Sequence, residues 1–155
     1  MPGLSAPSCQ DADPALFFPA HGLQLRDSQV EAAKRLCAAC PVREECLVIA
    51  VRSDESDGIW GGTTPAERRR IRGQLARMRQ GVKVARAVVS GEEPQVPLAD
   101  RPAVVHSLLR MGWSAEHIGN ALKLTPHQVN GAQVMAARTQ ELVALMERQY
   151  PKGWG

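Results

Sequence analysis

The sequence predicts an all-α protein made of two small helical units, and three observations carry that prediction. Strand signals are nearly absent and no internal repeat is visible. Helix-start signatures recur along the chain, at Ser28/Glu31, at Thr64/Pro65/Glu67 and at Thr125/Pro126/Gln128. Hydrophobic residues make up 44% of the chain but aromatics only 4%, which favours helices packed through Ala, Leu and Val over one aromatic-rich core. At 155 residues the chain has room for one ordinary domain or two small ones.

The elements follow in order. Residues 1–27 hold Pro2, Pro7, Pro14 and Pro19 and read as an irregular arm, with a turn of helix near Ala15–Phe18. Ser28 and Glu31 have capping-box spacing, so a first helix is expected from about Gln29 to Ala38. Pro41 suits the first position of a second helix, carrying Val42 to about Arg52. Ser53 to Gly62 combines three glycines with a cluster of acids and must turn. Thr64, Pro65 and Glu67 open a third helix, on which Ile71, Leu75, Met78 and Val82 form an apolar stripe. Ser90 to Pro102 contains three prolines and no helical period, and reads as a linker. Beyond it, a helix from about Ala103 with Val104, Val105, Leu108 and Leu109 ends at Gly112. Ser114 caps the next, which presents Ile118, Ala121 and Leu122. Thr125 opens another with Val129, Ala132 and Ala136 inward, and Thr139 to Tyr150 is apolar at helical spacing. The expected division is therefore a domain at 1–89, a linker at 90–102 and a second domain at 103–150.

Charge is unevenly placed. Residues 1–62 carry a net −4, residues 63–90 carry eight Lys/Arg against one Glu, residues 91–100 a net −3, and residues 101–155 a net +3. A basic block of that density suggests a polyanionic or acidic partner, the alternative being a solvated arginine-rich helix face. No aliphatic run exceeds Leu47–Val51, short of the roughly 20 residues a membrane span needs. No positive charge precedes Arg26 and no apolar segment lies at the start, so neither a membrane nor a secretory role is expected. Four cysteines are then expected in a reducing cytoplasm, where metal or redox chemistry is favoured over structural disulfides.

Cys9, Cys37, Cys40 and Cys46 are separated by 27, two and five residues. Cys37 and Cys40 lie three apart at the end of one helix, Cys46 in the next, and Cys9 in the arm. Four thiolates reaching one site suit tetrahedral zinc or an iron–sulfur cluster, and spacing alone does not decide between them.

The arm from Cys9 to Pro19, the run from Ala33 to Leu47 around Cys37, Cys40 and Cys46, the turn Gly58-Ile59-Trp60-Gly61-Gly62 and the following Glu67-Arg68-Arg69 together resemble the WhiB-like family of actinobacteria and their phages and plasmids. The match covers about residues 9–80. The resemblance implies a [4Fe–4S] cluster held by Cys9, Cys37, Cys40 and Cys46 and sensitive to oxygen and nitric oxide. It further implies docking on the C-terminal domain of the principal sigma factor, and transcriptional regulation. Phe17, Phe18 and Trp60, with Gly61 and Gly62, are candidates for that partner surface, since exposed aromatics mark interface centres; the alternative is that they close a small core. In the family, DNA contact is attributed to basic residues after the glycine-rich turn, a place filled here by Arg68, Arg69, Arg70, Arg72, Arg77 and Arg79.

The segment Trp113 to Val129 looks like a helix-turn-helix, as in response-regulator or sigma-type DNA-binding domains. Gly119 stands where two helices would cross, Lys123–Leu124 makes a short turn, and a capped helix follows. That helix would expose His127, Gln128, Asn130, Gln133 and Arg138, of which Asn and Gln can read adenine edges and Arg guanine or phosphate. A plain helical bundle or dimerisation module is the alternative. Two further functions compete with a regulator: a thiol–disulfide exchange enzyme using Cys37 and Cys40, and a zinc-stabilised DNA-binding protein. Against the enzyme, no βαβ pattern surrounds the pair, and His21, His106, His117 and His127 form no acid–base constellation.

Overall fold

The computed structural model describes residues 5–20 and 23–149. All regular structure among them is helical, apart from one isolated antiparallel pairing of Trp60 with Thr63. After a 3₁₀ turn at Pro14–Leu16 come α1 (Asp27–Ala38), α2 (Arg43–Arg52), α3 (Pro65–Val89), α4 (Arg101–Arg110), α5 (Ala115–Leu122) and α6 (Pro126–Gln149). No helix among the described residues is long and apolar enough to cross a membrane.

Two compact units result: Met1–Arg72 with Leu145–Gly155, and Gly73–Ala144. Their boundary falls inside α3 and not at the proline-rich stretch expected as a linker. The reason is packing. Ala85 and Val88 of α3 are buried in one cluster with Val104, Val105, Leu108, Ile118, Leu124, Val129 and Ala132, and Val96 lies partly buried against it. Residues 90–100 therefore form a strap on the second unit. Gly81 lets α3 and α4 touch, since a Cβ there would stand 2.5 Å from the Ala103 Cβ.

In the first unit, Asp13 Oδ1 accepts the Ala15 N–H at 2.9 Å, which starts the 3₁₀ turn. The cap of α1 differs from the expected Ser28/Glu31 box: the helix begins at Asp27, and Gln29 Oε1 accepts the N–H of Arg26 at 3.0 Å. Glutamine at the third position does the job expected of Glu31, two residues earlier. The α3 start follows its expectation, with Thr64 N–H donating to Glu67 Oε2 at 2.8 Å and Glu67 N–H to Thr64 Oγ1 at 3.3 Å. Glu67 also accepts Lys34 Nζ at 2.6 Å, which ties the head of α3 to α1. Phe17, Ala33, Cys37 and Ile59 form a buried cluster, flanked by Leu16, Val30 and Leu36.

In the second unit, Ser114 Oγ accepts the His117 N–H and starts α5 as expected. Lys123 takes the left-handed conformation (φ 54°, ψ 45°), and the Leu124 N–H returns to the Gly119 carbonyl at 2.8 Å. Thr125 and Gln128 then cap α6 reciprocally, at 2.9 and 3.2 Å. On α5, Ile118 is fully buried and Leu122 packs half-buried against the same core, while Ala121, presented with them in the sequence, is exposed. The expected separate tail helix merges with its predecessor into the single helix α6.

Candidate metal centre and partner surfaces

The four cysteines come from four places in the chain. Cys9 lies in the exposed arm, Cys37 is buried on the last turn of α1, Cys40 is half-buried just beyond it, and Cys46 is half-buried on the first turn of α2. All four are free thiols lining one cavity, together with Phe17, Ile59, Gly61 and Arg43. Among the described residues no group of three Cys, His, Asp or Glu side chains is arranged to hold a metal ion. The sulfurs stand around a cavity wall.

Backbone N–H groups face these sulfurs. Ser8 N–H donates to Cys40 Sγ at 3.4 Å and joins the arm to the α1–α2 corner. Burial pushes the Cys37 thiol up, and so do the neighbouring Cys40 and Cys9, against a hydrogen bond from the Gly62 N–H and the charge of Arg43. Burial likewise pushes Cys46 up, opposed by the Gly61 N–H and reinforced by the other three cysteines. At Cys40 burial acts in the same direction, but the N–H groups of Ser8 and Val42 outweigh it and the thiol lies below its ordinary value.

The glycine-rich turn is what brings the donors there. Gly61 and Gly62 have φ of +54° and +75°. A Cβ on Gly61 would lie 2.6 Å from Leu47 Cβ and 2.8 Å from the Arg43 carbonyl, so only glycine allows the turn to rest on α2. The Ile59 N–H donates to the Phe17 carbonyl at 2.9 Å, and Arg43 Nε to the Gly61 carbonyl at 3.3 Å. The turn is held between the arm and α2.

Several site residues fall elsewhere than expected. Phe17, expected on a partner surface, is only 6% exposed and packs against Cys37 and Ile59. Gly61 is buried too, by its seat on α2. Phe18 and Trp60 remain: Phe18 is 44% exposed and meets half-buried Trp60 edge-on, with centroids 6.1 Å apart. Trp60 Nε1 is buried with no hydrogen-bond partner among the described residues, and Gly62 is half-buried.

The arginines also divide. Arg68, expected to contact DNA, is 0% exposed and spends its donors on backbone carbonyls of Glu55, Thr63, Asp57 and Gly58. Arg72 is half-buried and pairs with Asp54 at 2.8 Å. Arg69 and Arg70 in the first unit, and Arg77 and Arg79 in the second, are exposed, with Arg77 4.0 Å from Asp100. On α6, His127, Gln128, Asn130 and Gln133 are exposed, although Gln128 is engaged in capping its own helix. The Arg138 side chain lies outside the described residues, as does His21. His106 is half-buried, with Nε2 3.1 Å from Gln140 Nε2, and burial followed by the charge of Arg110 holds its imidazole below the ordinary value.

Reading the residues alone missed the backbone donors of Ser8, Gly61 and Gly62, and the inward role of Arg68. A signal for Arg68 was present. A ten-residue turn with neither helix nor strand leaves carbonyls without partners, and arginine offers five donors to satisfy them.

A small helical domain whose cysteines, drawn from an arm and two short helices, line one cavity under a Gly-Ile-Trp-Gly-Gly turn defines a class of protein. The family model described as "Transcription factor WhiB" matches residues 4–71. The transcriptional regulator WhiB2 of Bifidobacterium longum is 50% identical over 64 residues, covering 41% of this chain and 60% of that protein. The transcriptional regulator WhiB of Streptomyces coelicolor is 47% identical over 64 residues, 41% of this chain and 68% of its own length. The transcriptional regulator WhiB1 of Mycobacterium tuberculosis is 41% identical over 69 residues, 44% of this chain and 82% of its own. The chain belongs to the WhiB family, and it spans only 60% of the length of the Bifidobacterium WhiB2 relative.

Proposed function

We propose that this chain is a non-enzymatic, cytoplasmic transcription regulator responsive to redox state and nitric oxide, which holds a [4Fe–4S] cluster, docks on the C-terminal domain of the principal sigma factor and binds DNA. One observation carries the reading: Cys9, Cys37, Cys40 and Cys46 line one cavity, with backbone N–H groups directed at three of the sulfurs. An all-thiol donor set with N–H partners suits iron–sulfur ligation. Among the described residues no three of these side chains converge as a single zinc with bonds of about 2.3 Å would require, which favours a polynuclear centre. When bound, the cluster supplies a redox-sensitive centre that also cross-links the arm to α1 and α2.

Exposed Phe18, with half-buried Trp60 edge-on against it, is the surface for the sigma domain. Exposed Arg69, Arg70, Arg77 and Arg79 make phosphate contacts, and His127, Asn130 and Gln133 on α6 act as a second reader of DNA. The left-handed Lys123 turn, the buried Leu124 and the exposed face of α6 favour a helix-turn-helix over a plain bundle.

Anaerobic purification with iron and sulfide analysis tests the centre. About four of each per chain is the expected result, and zinc without sulfide would overturn it. Trp60→Ala is expected to abolish binding to the sigma domain with the visible absorbance unchanged. In a gel shift, Asn130→Ala/Gln133→Ala in the full chain is expected to flatten sequence preference. Arg69→Ala/Arg70→Ala should weaken all sequences alike and lower the salt slope by roughly one for each phosphate left without its arginine. Robust insulin reduction by the metal-free protein would instead support the exchange enzyme.

A further inference from the structure

Arg68 is a fully buried cation whose donors go to backbone carbonyls and not to a carboxylate. A buried charge is costly unless fully hydrogen-bonded. Here the bonding is extensive: Nε donates to the Glu55 carbonyl at 3.1 Å, Nη1 to Thr63 at 2.7 Å, and Nη2 to Asp57 at 2.8 Å and Gly58 at 3.0 Å. One planar fork thus gathers carbonyls from both ends of the segment 55–63. Between those ends lie Ile59 and Gly61, which line the cysteine cavity. The Gly61 N–H faces Cys46 and the Gly62 N–H faces Cys37, with Gly61 in the wall of the same cavity. On the opposite side, Arg43 holds the Gly61 carbonyl. The turn has little regular structure of its own: one pairing, Trp60 with Thr63.

We propose that Arg68 is a positioning residue for the metal centre: its four hydrogen bonds fix the turn from Glu55 to Thr63 so that Gly61 and Gly62 present their N–H groups to the sulfurs of Cys46 and Cys37. This rests on the cluster reading above. Hydrogen bonds to ligating sulfurs stabilise the more negatively charged state of a cluster, so the turn sets its reduction potential as well as its lifetime in air. Lysine keeps the charge but cannot place donors on carbonyls of four residues at once, because its three donors radiate from one nitrogen.

The test uses the full chain purified anaerobically as wild type, Arg68→Lys, Arg68→Met and the control Arg35→Lys, at an exposed position of α1. Iron and sulfide content, helical circular dichroism, midpoint potential and the lifetime of visible absorbance in air are measured on each. Both Arg68 variants are expected to load the centre, to show a potential more negative by about 59 mV for a tenfold loss in relative stability of the reduced state, and to bleach about tenfold faster. The control should match wild type. An Arg68→Lys protein with wild-type potential and lifetime overturns the proposal, since charge alone would then suffice. Where a variant fails to fold, amide exchange on the loaded wild type still decides. Protected Gly61 and Gly62 amides support the positioning role, and amides that exchange like those of an open turn overturn it. A wild type without iron and sulfide rejects the cluster reading itself, a result separate from a loaded wild type with silent variants.

Discussion

The second unit closes on an aliphatic cluster of Val104, Val105, Leu108, Ile118, Leu124 and Val129, all buried, whereas the cluster beside the thiols in the first is Phe17, Ala33, Cys37 and Ile59. Around the latter the fixing is polar: the guanidinium of Arg68 on four carbonyls, Glu67 between Thr64 and Lys34, and Arg72 on Asp54. Hydrophobic burial at roughly 25 cal/mol per Å² stabilises the second unit without a ligand. In the first, hydrogen bonds to specific atoms add to a smaller apolar cluster, and the proposed centre would add ligation. On the proposed reading, loss of the ligands would loosen the first unit and leave the second folded.

The strongest way to break the comparison is to remove the centre. Cys37→Ser or Cys46→Ser is expected to deny the loaded state and lower amide protection of α1 and α2 by an order of magnitude or more, since ligand binding and folding are coupled. Protection in α4 and α5 should not change, as read by hydrogen exchange with peptide resolution. Equal loosening of both units would show that the division is not energetic. The converse variant is Leu108→Ala. It removes a fully buried side chain from the second unit and should cost about 2–5 kcal/mol in denaturant unfolding of that unit. Visible absorbance of the first unit should survive.

A smaller effect comes from pH. Burial pushes the Glu67 carboxyl up, but the hydrogen bond from Lys34 and those from Thr64 outweigh it, and the group lies below its ordinary value. A depressed carboxylate contributes stability that is complete above the unfolded value, near 4.3, and is lost as pH falls through the lower folded value. Thermal scans from pH 7 downwards should therefore show the first unit losing stability below about pH 4.3. Glu67→Gln should reduce that loss. Because Glu67 is partly exposed, the effect is modest, and an identical acid profile in Glu67→Gln would count against the Lys34–Glu67 tie.

What the sequence made legible follows from range. The Thr64/Glu67 and Thr125/Gln128 boxes are written within four residues and form as expected. The glycine-rich turn is also written locally, and the four cysteines line one cavity. The turn signalled a need for donors, but not that Arg68 would supply them: its partners lie five to thirteen residues away and are backbone carbonyls, which have no residue identity to read. Phe17 and Phe18 are chemically identical neighbours, and only the Ile59–Phe17 hydrogen bond and the packing on Cys37 show which turns inward. Residues 90–102 look like a linker by composition, yet Val96 is enough to lay the strap on the core.

The least effect, and the finest test of the second unit as a helix-turn-helix, lies at Lys123. Its φ of 54° and ψ of 45° are left-handed, a conformation that costs a residue with a Cβ roughly 1–2 kcal/mol. Glycine removes that strain but gives back about 0.5–1 kcal/mol in unfolded-state entropy. Lys123→Gly should therefore stabilise the second unit by about 0.5–1 kcal/mol, seen as a higher denaturant midpoint with unchanged slope. Lys123→Val, β-branched and poorly suited to positive φ, should do the reverse. If glycine is neutral and valine is tolerated, the turn is not held in this conformation in solution, and the proposed DNA-reading role of the exposed face of α6 loses its structural support.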